Sequence, residues 1–282
     1  MTDDPRIAWV KRPNRWVKYR RAQMAMQRLE QLYNAPQADR MRNLLIVGET
    51  NNGKTAIVRY FEKLYPREFR PDEDVSNVPV LLIQAPALAD EGRFYDAILS
   101  RLYAPFKSSW NVGRRQQQAY AMMQMLNVRM LIVDDVHNLL AGASAKQRIL
   151  LNTIRHMGNE LRISIVCAGT ELAFRAIESD AQLGNRFIPF VLPKWKIDDP
   201  DYLSLLKAFE NDFKLEKPSN LTDAALAIKI ATMSEGTIGE IGWLLTEAAE
   251  LAIENKSECI SAKTLDSCGY VPPRERRYLR TG

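Results

Sequence analysis

Five short runs of branched and apolar residues, "NLLIV" (43–47), "VPVLLIQA" (78–85), "RMLIVDD" (129–135), "ISIVCAGT" (163–170) and "FIPFVL" (187–192), punctuate the first two thirds of the chain. Each has the length of a strand and is apolar enough to be buried on both faces, and each is followed by enough chain for a helical crossover. The pattern predicts an α/β core, a five-stranded parallel sheet covered by helices. Past "LPKW" the β-rich runs stop. "YLSLLKAFENDF", "TDAALAIKIATM" and "IGEIGWLLTEAAELAIE" carry helical spacing instead, so a helical second domain is expected to begin near Pro200.

The first run leads directly into "GETNNGKT" (48–55), and a helical pattern, "AIVRYFEKLY", follows. Gly48 and Gly53 bracket Glu49, Thr50, Asn51 and Asn52, and Lys54 and Thr55 come next. This is the spacing of a loop whose backbone N–H groups surround phosphates at a helix N-terminus. Lys54 then reaches the β and γ phosphates, and the Thr55 hydroxyl holds Mg²⁺. A ligand-free strand-to-helix turn is the plainer alternative, but strand, loop and helix signals coincide, and a nucleoside triphosphate is the expected ligand. The third run ends in Asp134 and Asp135, at the sheet edge where open α/β sheets bind ligands. The first acid is placed to hold Mg²⁺ and the second to take a proton from an attacking water. Asp135 is one methylene shorter than a glutamate, so slow hydrolysis is expected.

Charge and composition bound the partners. The 282 residues include 39 Lys and Arg against 34 Asp and Glu, a net charge of +5. From Met1 to Arg42 there are ten basic residues and four acidic ones, and the tail "RERRYLRTG" adds Arg274, Arg276, Arg277 and Arg280 against Glu275. Such a balance permits nucleic-acid binding without proving it. Three cysteines with no C-x-x-C pair read as reduced thiols. No apolar run approaches membrane-spanning length, so a cytoplasmic protein is expected.

Beyond these local patterns, "NLLIVGETNNGKT", "QAPALADEGRFYDAIL", "RMLIVDDVHNLLAGASAKQR", "LNTIRHMGNELRISIVCAGT" and "QLGNRFIPFVLPKW" together resemble the TniB family. These are AAA+ ATPases of Tn5053-type and Tn402-type transposons, related to TnsC of Tn7-like elements. The resemblance implies an AAA+ P-loop core with a small α-helical lid. Its implied ligands are ATP and Mg²⁺, and its implied activity is that of an ATPase that oligomerises, as a ring or helix, on double-stranded target DNA. It also implies a link to a DDE transposase, with a TniQ-like adaptor as a further partner, and no membrane. The corresponding division is a basic N-terminal segment (1–42), a nucleotide-binding α/β domain (43–198), a helical lid (199–270) and a basic tail (271–282).

Residue by residue, Thr170 matches the polar sensor at the end of the fourth strand, and Arg186 matches the arginine that reaches a neighbour's γ-phosphate. A guanidinium suits that task because it is always charged and forks onto phosphate oxygens. The alternatives are a strand-end threonine and a surface ion pair. Where AAA+ lids often carry a sensor arginine, this chain has Gly239 and Glu240, so no such arginine is assigned. His137 is either a relay from the site or a structural hydrogen-bonder. For DNA, the insert between the second and third strands offers Lys107, Arg114 and Arg115 around Trp110; a solvated helix start is the alternative. In "WVKRPNRWVKYRRA", Trp16 and Tyr19 are expected to pack, and Lys11, Arg12 and Arg15 to meet DNA or a partner. Two other classes share this pattern, a replication initiator or helicase loader and a signalling ATPase without DNA. A helix-turn-helix module after the lid would mark the initiator, and none is visible in the sequence.

Overall fold

The computed structural model describes residues 4–13, 15–70, 75–138 and 144–278. Arg280 of the basic tail, and residues 139–143 of the segment following Asp135, lie outside them. The strands are β1 (Asn43–Gly48), β2 (Glu68–Arg70), β3 (Val75–Asn77), β4 (Val80–Gln84), β5 (Met130–Asp134), β6 (Ser164–Gly169) and β7 (Phe187–Leu192). The first helices are α1 (Pro5–Val10), α2 (Arg20–Tyr33), α3 (Lys54–Leu64), α4 (Glu91–Arg101), α5 (Val112–Met125) and α6 (Ser144–Glu160). They continue with α7 (Glu171–Glu178), α8 (Ala181–Gly184), α9 (Tyr202–Phe213), α10 (Ala224–Ser234), α11 (Ile238–Glu254), α12 (Ala262–Ser267) and α13 (Pro273–Tyr278).

Two compact units divide the chain. One comprises Met24–Thr50 and Lys54–Leu192; the other comprises the described residues of Met1–Gln23, Asn51–Gly53 and Pro193–Gly282. The first unit is an α/β layer built on a parallel five-stranded sheet ordered β4-β5-β6-β1-β7. All five strands expected from the sequence are present, with ends displaced by at most two residues. β1, β5 and β6 are buried along their whole length, as befits strands covered on both faces. Capping sets the helix starts around them: Asp90 accepts from the Arg93 N–H before α4, and Asn111 accepts from the Arg114 N–H before α5.

One expectation fails. β7 is not buried on both faces: Phe187 and Leu192 are covered, but Ile188 and Val191 are exposed. Among the described residues it pairs only with β1, at the edge of the sheet. Pro189 fits such a strand, because a residue without an N–H is tolerated where no further strand needs the donor. A short antiparallel pair, β2 with β3, was not foreseen.

The second unit is helical. Tyr202, Leu205, Leu206, Phe209 and Phe213 of α9 meet Ile241, Leu244, Leu245 and Ala248 of α11 in its core. The basic N-terminal residues are fastened to this unit. Arg6 pairs with Asp4 and Glu258, Lys11 with Glu250, Arg12 and Arg15 with Asp212, Arg20 with Asp201 and Arg21 with Asp199. Trp9 donates its indole N–H to the Asp212 carbonyl at 2.9 Å, and the Arg15 guanidinium lies over the Phe213 ring. Tyr19 is buried edge-on against Trp195, consistent with the expected packing. Lys11, Arg12 and Arg15, expected to meet DNA or a partner, are each paired within this unit with carboxylates about two hundred residues away in sequence.

Asp212→Asn should therefore loosen the N-terminal segment, since it strips the counter-charge from Arg15, whose side chain is only 11% exposed. Leaving a buried charge unpaired costs about 3 kcal/mol. The expected result is faster tryptic cleavage after Arg15 and a lower urea midpoint; cleavage at the wild-type rate would contradict it.

Candidate nucleotide site

Parallel pairing brings the strand ends into line. Val47 stands opposite Gly169, Val133 opposite Cys167, and Gln84 opposite Asp134. The carboxyl ends of β1, β4, β5 and β6 consequently deliver Gly48, Gln84, Asp134 and Gly169 to one edge of the sheet.

From that edge the chain leaves β1 and turns into α3, which starts at Lys54. Asn51 and Gly53 both take positive φ, 62° and 86°. Asparagine is among the few side chains that tolerate this region, and glycine has no Cβ to oppose it. A Cβ at Gly53 would also stand 3.1 Å from Ile238 Cγ2 and 3.3 Å from the Tyr19 hydroxyl. Lys54 is 5% exposed, and its Nζ donates to the carbonyls of Gly48 at 2.8 Å and Glu49 at 2.7 Å. Burial lowers its pKa, opposed by the charges of Asp135, Asp134 and Glu49. A desolvated ammonium facing carboxylates and carbonyls is a cation with an unspent capacity for anionic oxygen.

Asp134 is 2% exposed. Burial raises its pKa above 3.8, opposed by a hydrogen bond from the Thr55 hydroxyl and by the Asp135 N–H, which donates at 2.9 Å. Thr55 and Asp134, separated by the whole of β4 in sequence, are thus in contact. A hydroxyl beside a carboxylate is an all-oxygen donor set, which suits Mg²⁺. Asp135 follows with φ 52°, a left-handed conformation that an aspartate adopts at modest cost and that turns its carboxylate out of the strand direction. Gln84 Nε2 donates to Asp135 Oδ2 at 2.6 Å, and His137 Nδ1 lies 3.9 Å from Oδ1.

Two buried polar atoms at this edge have no hydrogen-bond partner among the described residues, Thr170 Oγ1 and His137 Nδ1. Thr170 precedes α7 in the N-cap position but makes no side-chain cap. Buried polar atoms without partners are uncommon, and such a pair beside two carboxylates fits a site that receives a polar ligand. Gln84 is the member that sequence reasoning missed; its place at the end of a strand next to the strand bearing Asp134 was the available signal.

Other expected residues lie elsewhere. Arg186 precedes β7, and its carbonyl accepts from the Asn43 N–H at the start of β1, so it occupies the opposite edge of the sheet from Gly48. Its Nη1 donates to Asn159 Oδ1 at 2.6 Å. Burial lowers its pKa, and the like charges of Arg40 and Arg155 lower it further, so the guanidinium faces cations rather than a carboxylate. Lys107 and Arg114 are exposed in the insert between β4 and β5, with Arg114 4.2 Å over the Trp110 ring. Arg115 is turned inward, pairing with Asp96 at 2.9 Å and donating to the carbonyls of Trp110 and Ser108. It holds the loop that displays the other two and is withdrawn from the set of free cations.

The comparisons with known proteins agree with this frame. The family described as Bacterial TniB protein matches residues 6–197. No curated protein sequence matches the chain. Among solved structures, the chain is similar to ORC1 of Aeropyrum pernix in complex with DNA, with 20% identity, a TM-score of 0.63, and coverage of 93% of this chain and 68% of that one. It is similar to A. pernix ORC2 in its ADPNP-ADP complexes, with 14% identity, a TM-score of 0.65, and coverage of 95% and 73%. Domain III of the Thermotoga maritima replication initiation protein DnaA gives 15% identity, a TM-score of 0.56, and coverage of 94% and 96%. At these identities the likeness establishes the fold, which is that of the AAA+ ATPases. The family match spans well over half of the chain, and on that footing the chain belongs to the TniB family.

Proposed function

We propose that the chain is an ATPase whose ATP-bound form assembles on double-stranded DNA during transposition, presenting the DNA to a DDE transposase with or without a TniQ-like adaptor. The observation that carries the ATPase reading is the convergence on one sheet edge of buried Lys54, the Thr55–Asp134 contact, Asp135 and the Thr170 hydroxyl, which has no hydrogen-bond partner among the described residues. Family membership supports the transposition reading, and the nucleotide-bound and DNA-bound states of the similar structures are consistent with both ligands.

In this mechanism the loop N–H groups and Lys54 bind the β and γ phosphates. Thr55 and Asp134 would hold Mg²⁺, which supplies charge neutralisation on the phosphate oxygens. Asp135 accepts a proton as a water oxygen attacks the γ-phosphorus; the bond from that phosphorus to the β–γ bridging oxygen breaks, and ADP leaves with the electron pair. Thr170 orients the water or a γ oxygen. Gln84 occupies one lone pair of Asp135 and so restrains it as a base. Arg186 lies far from its own Asp134 along β1 and β7, and it serves the γ-phosphate of an adjacent subunit, where its charge offsets that of the transition state.

Lys107 and Arg114 contact DNA phosphates, with Trp110 stiffening Arg114, and Arg115 acts by holding the loop. Phosphate contacts of this kind carry no base readout, so binding is sequence-tolerant and weakens steeply with salt.

The test of the whole reading is a gel-shift titration with duplex DNA. Wild type should bind only with ATP or a non-hydrolysable analogue, and Lys54→Ala should bind neither nucleotide nor DNA; ATP-independent binding with an unchanged Lys54→Ala variant would overturn it. Lys107→Glu with Arg114→Glu should weaken all duplexes alike and flatten the salt dependence. Gln84→Ala should leave ATP affinity unchanged and raise turnover several-fold by freeing Asp135, whereas Asp135→Asn should abolish most of it. Arg186→Ala should bind ATP normally yet hydrolyse it on the order of 10³-fold more slowly, as removal of an arginine finger does. Mixing it with Lys54→Ala protein should restore part of the activity, provided that Lys54→Ala subunits enter the assembly beside ATP-bound ones; wild-type hydrolysis by Arg186→Ala alone would exclude the finger.

A further inference from the structure

The crest of the phosphate loop is tied to the C-terminal segment through one carboxylate. In the helical unit, α11 begins against Asn51 and Asn52: the Gly239 N–H donates to the Asn51 carbonyl at 3.0 Å, and the Ile238 N–H to Asn52 Oδ1 at 3.4 Å. A Cβ on Gly239 would overlap the Asn51 side chain, so glycine is required for this approach. Asn51 Nδ2 in turn donates to Glu240 Oε1 at 3.1 Å. The other oxygen of Glu240 accepts from the Tyr270 hydroxyl at 2.8 Å and from Arg276 of α13. Arg276 lies over the Trp243 ring at 4.8 Å, and Trp243 meets Tyr270 edge-on at 5.3 Å. An aromatic clasp thereby holds the arginine on the carboxylate.

Glu240 is 12% exposed in its side chain and sits one hydrogen bond from a loop that, on the reading above, binds three phosphates. A bare carboxylate there opposes every phosphate charge, and partial burial strengthens that opposition. We infer that Arg276, carried by the C-terminal helix, tunes nucleotide affinity by neutralising Glu240, so that the loop binds ATP more tightly while α13 is docked. Arg276 and Glu240 are positioning residues in this scheme.

The inference rests on the phosphate-loop reading, and the experiment separates the two. Fluorescent ATP and ADP are titrated into full-length wild type, Arg276→Ala, Glu240→Gln and the double variant, with steady-state turnover and thermal melting measured in parallel. Arg276→Ala should raise Kd and KM for ATP about tenfold, as a like charge near the phosphates acting through a partly screened medium would. ADP affinity should fall less, because ADP carries less negative charge, and kcat at saturation should stay at the wild-type value. Glu240→Gln keeps an acceptor for Asn51 without the charge; it should bind ATP at least as tightly as wild type and restore affinity when combined with Arg276→Ala. Wild-type ATP affinity in Arg276→Ala overturns the inference. So does a loss of affinity that Glu240→Gln fails to repair, equal for ATP and ADP, which is the signature of lost packing. Failure of wild type itself to bind ATP would instead refute the phosphate-loop reading.

Discussion

Parallel register is the constraint on which the site depends. In a parallel sheet every strand ends at the same edge, so residues that close β1, β4, β5 and β6 become neighbours without any loop having to carry them there. The Thr55–Asp134 contact and the Gln84–Asp135 hydrogen bond both follow from that alignment. The same register places Arg186 at the opposite edge, away from its own Asp134.

What was legible in the sequence was whatever a local pattern encodes. Buried strands announce themselves as uninterrupted apolar runs, so the sheet could be read directly; glycine spacing and strand ends singled out Lys54, Thr55, Asp134 and Asp135, which the parallel register brings to one edge. β7 misled because apolar composition does not say whether a strand has one neighbour or two. Partnerships between charges were illegible. Arg12 and Arg15 look like a basic patch until Asp212 is brought beside them, and Arg115 looks like its neighbour Arg114 until Asp96 claims it. Sequence position says nothing of which cations a fold neutralises internally.

That neutralisation changes how the chain's positive charge should be understood. Formal charge counts Arg6, Lys11, Arg12, Arg15 and Arg21 as attractive to polyanions, yet each is committed to a carboxylate of the helical unit. Paired charges project little field beyond a Debye length. The positive surface left unpaired is therefore smaller and more local than the isoelectric point suggests.

Pro189 in the exposed edge strand has a consequence for any higher-order assembly. An uncovered strand normally offers a row of donors and acceptors on which another chain can polymerise into fibrous β-structure, and proline is one of the residues that blunt that hazard. With Pro189 at the middle of β7, copies of this chain gathered at high local density are steered away from fusing their sheets.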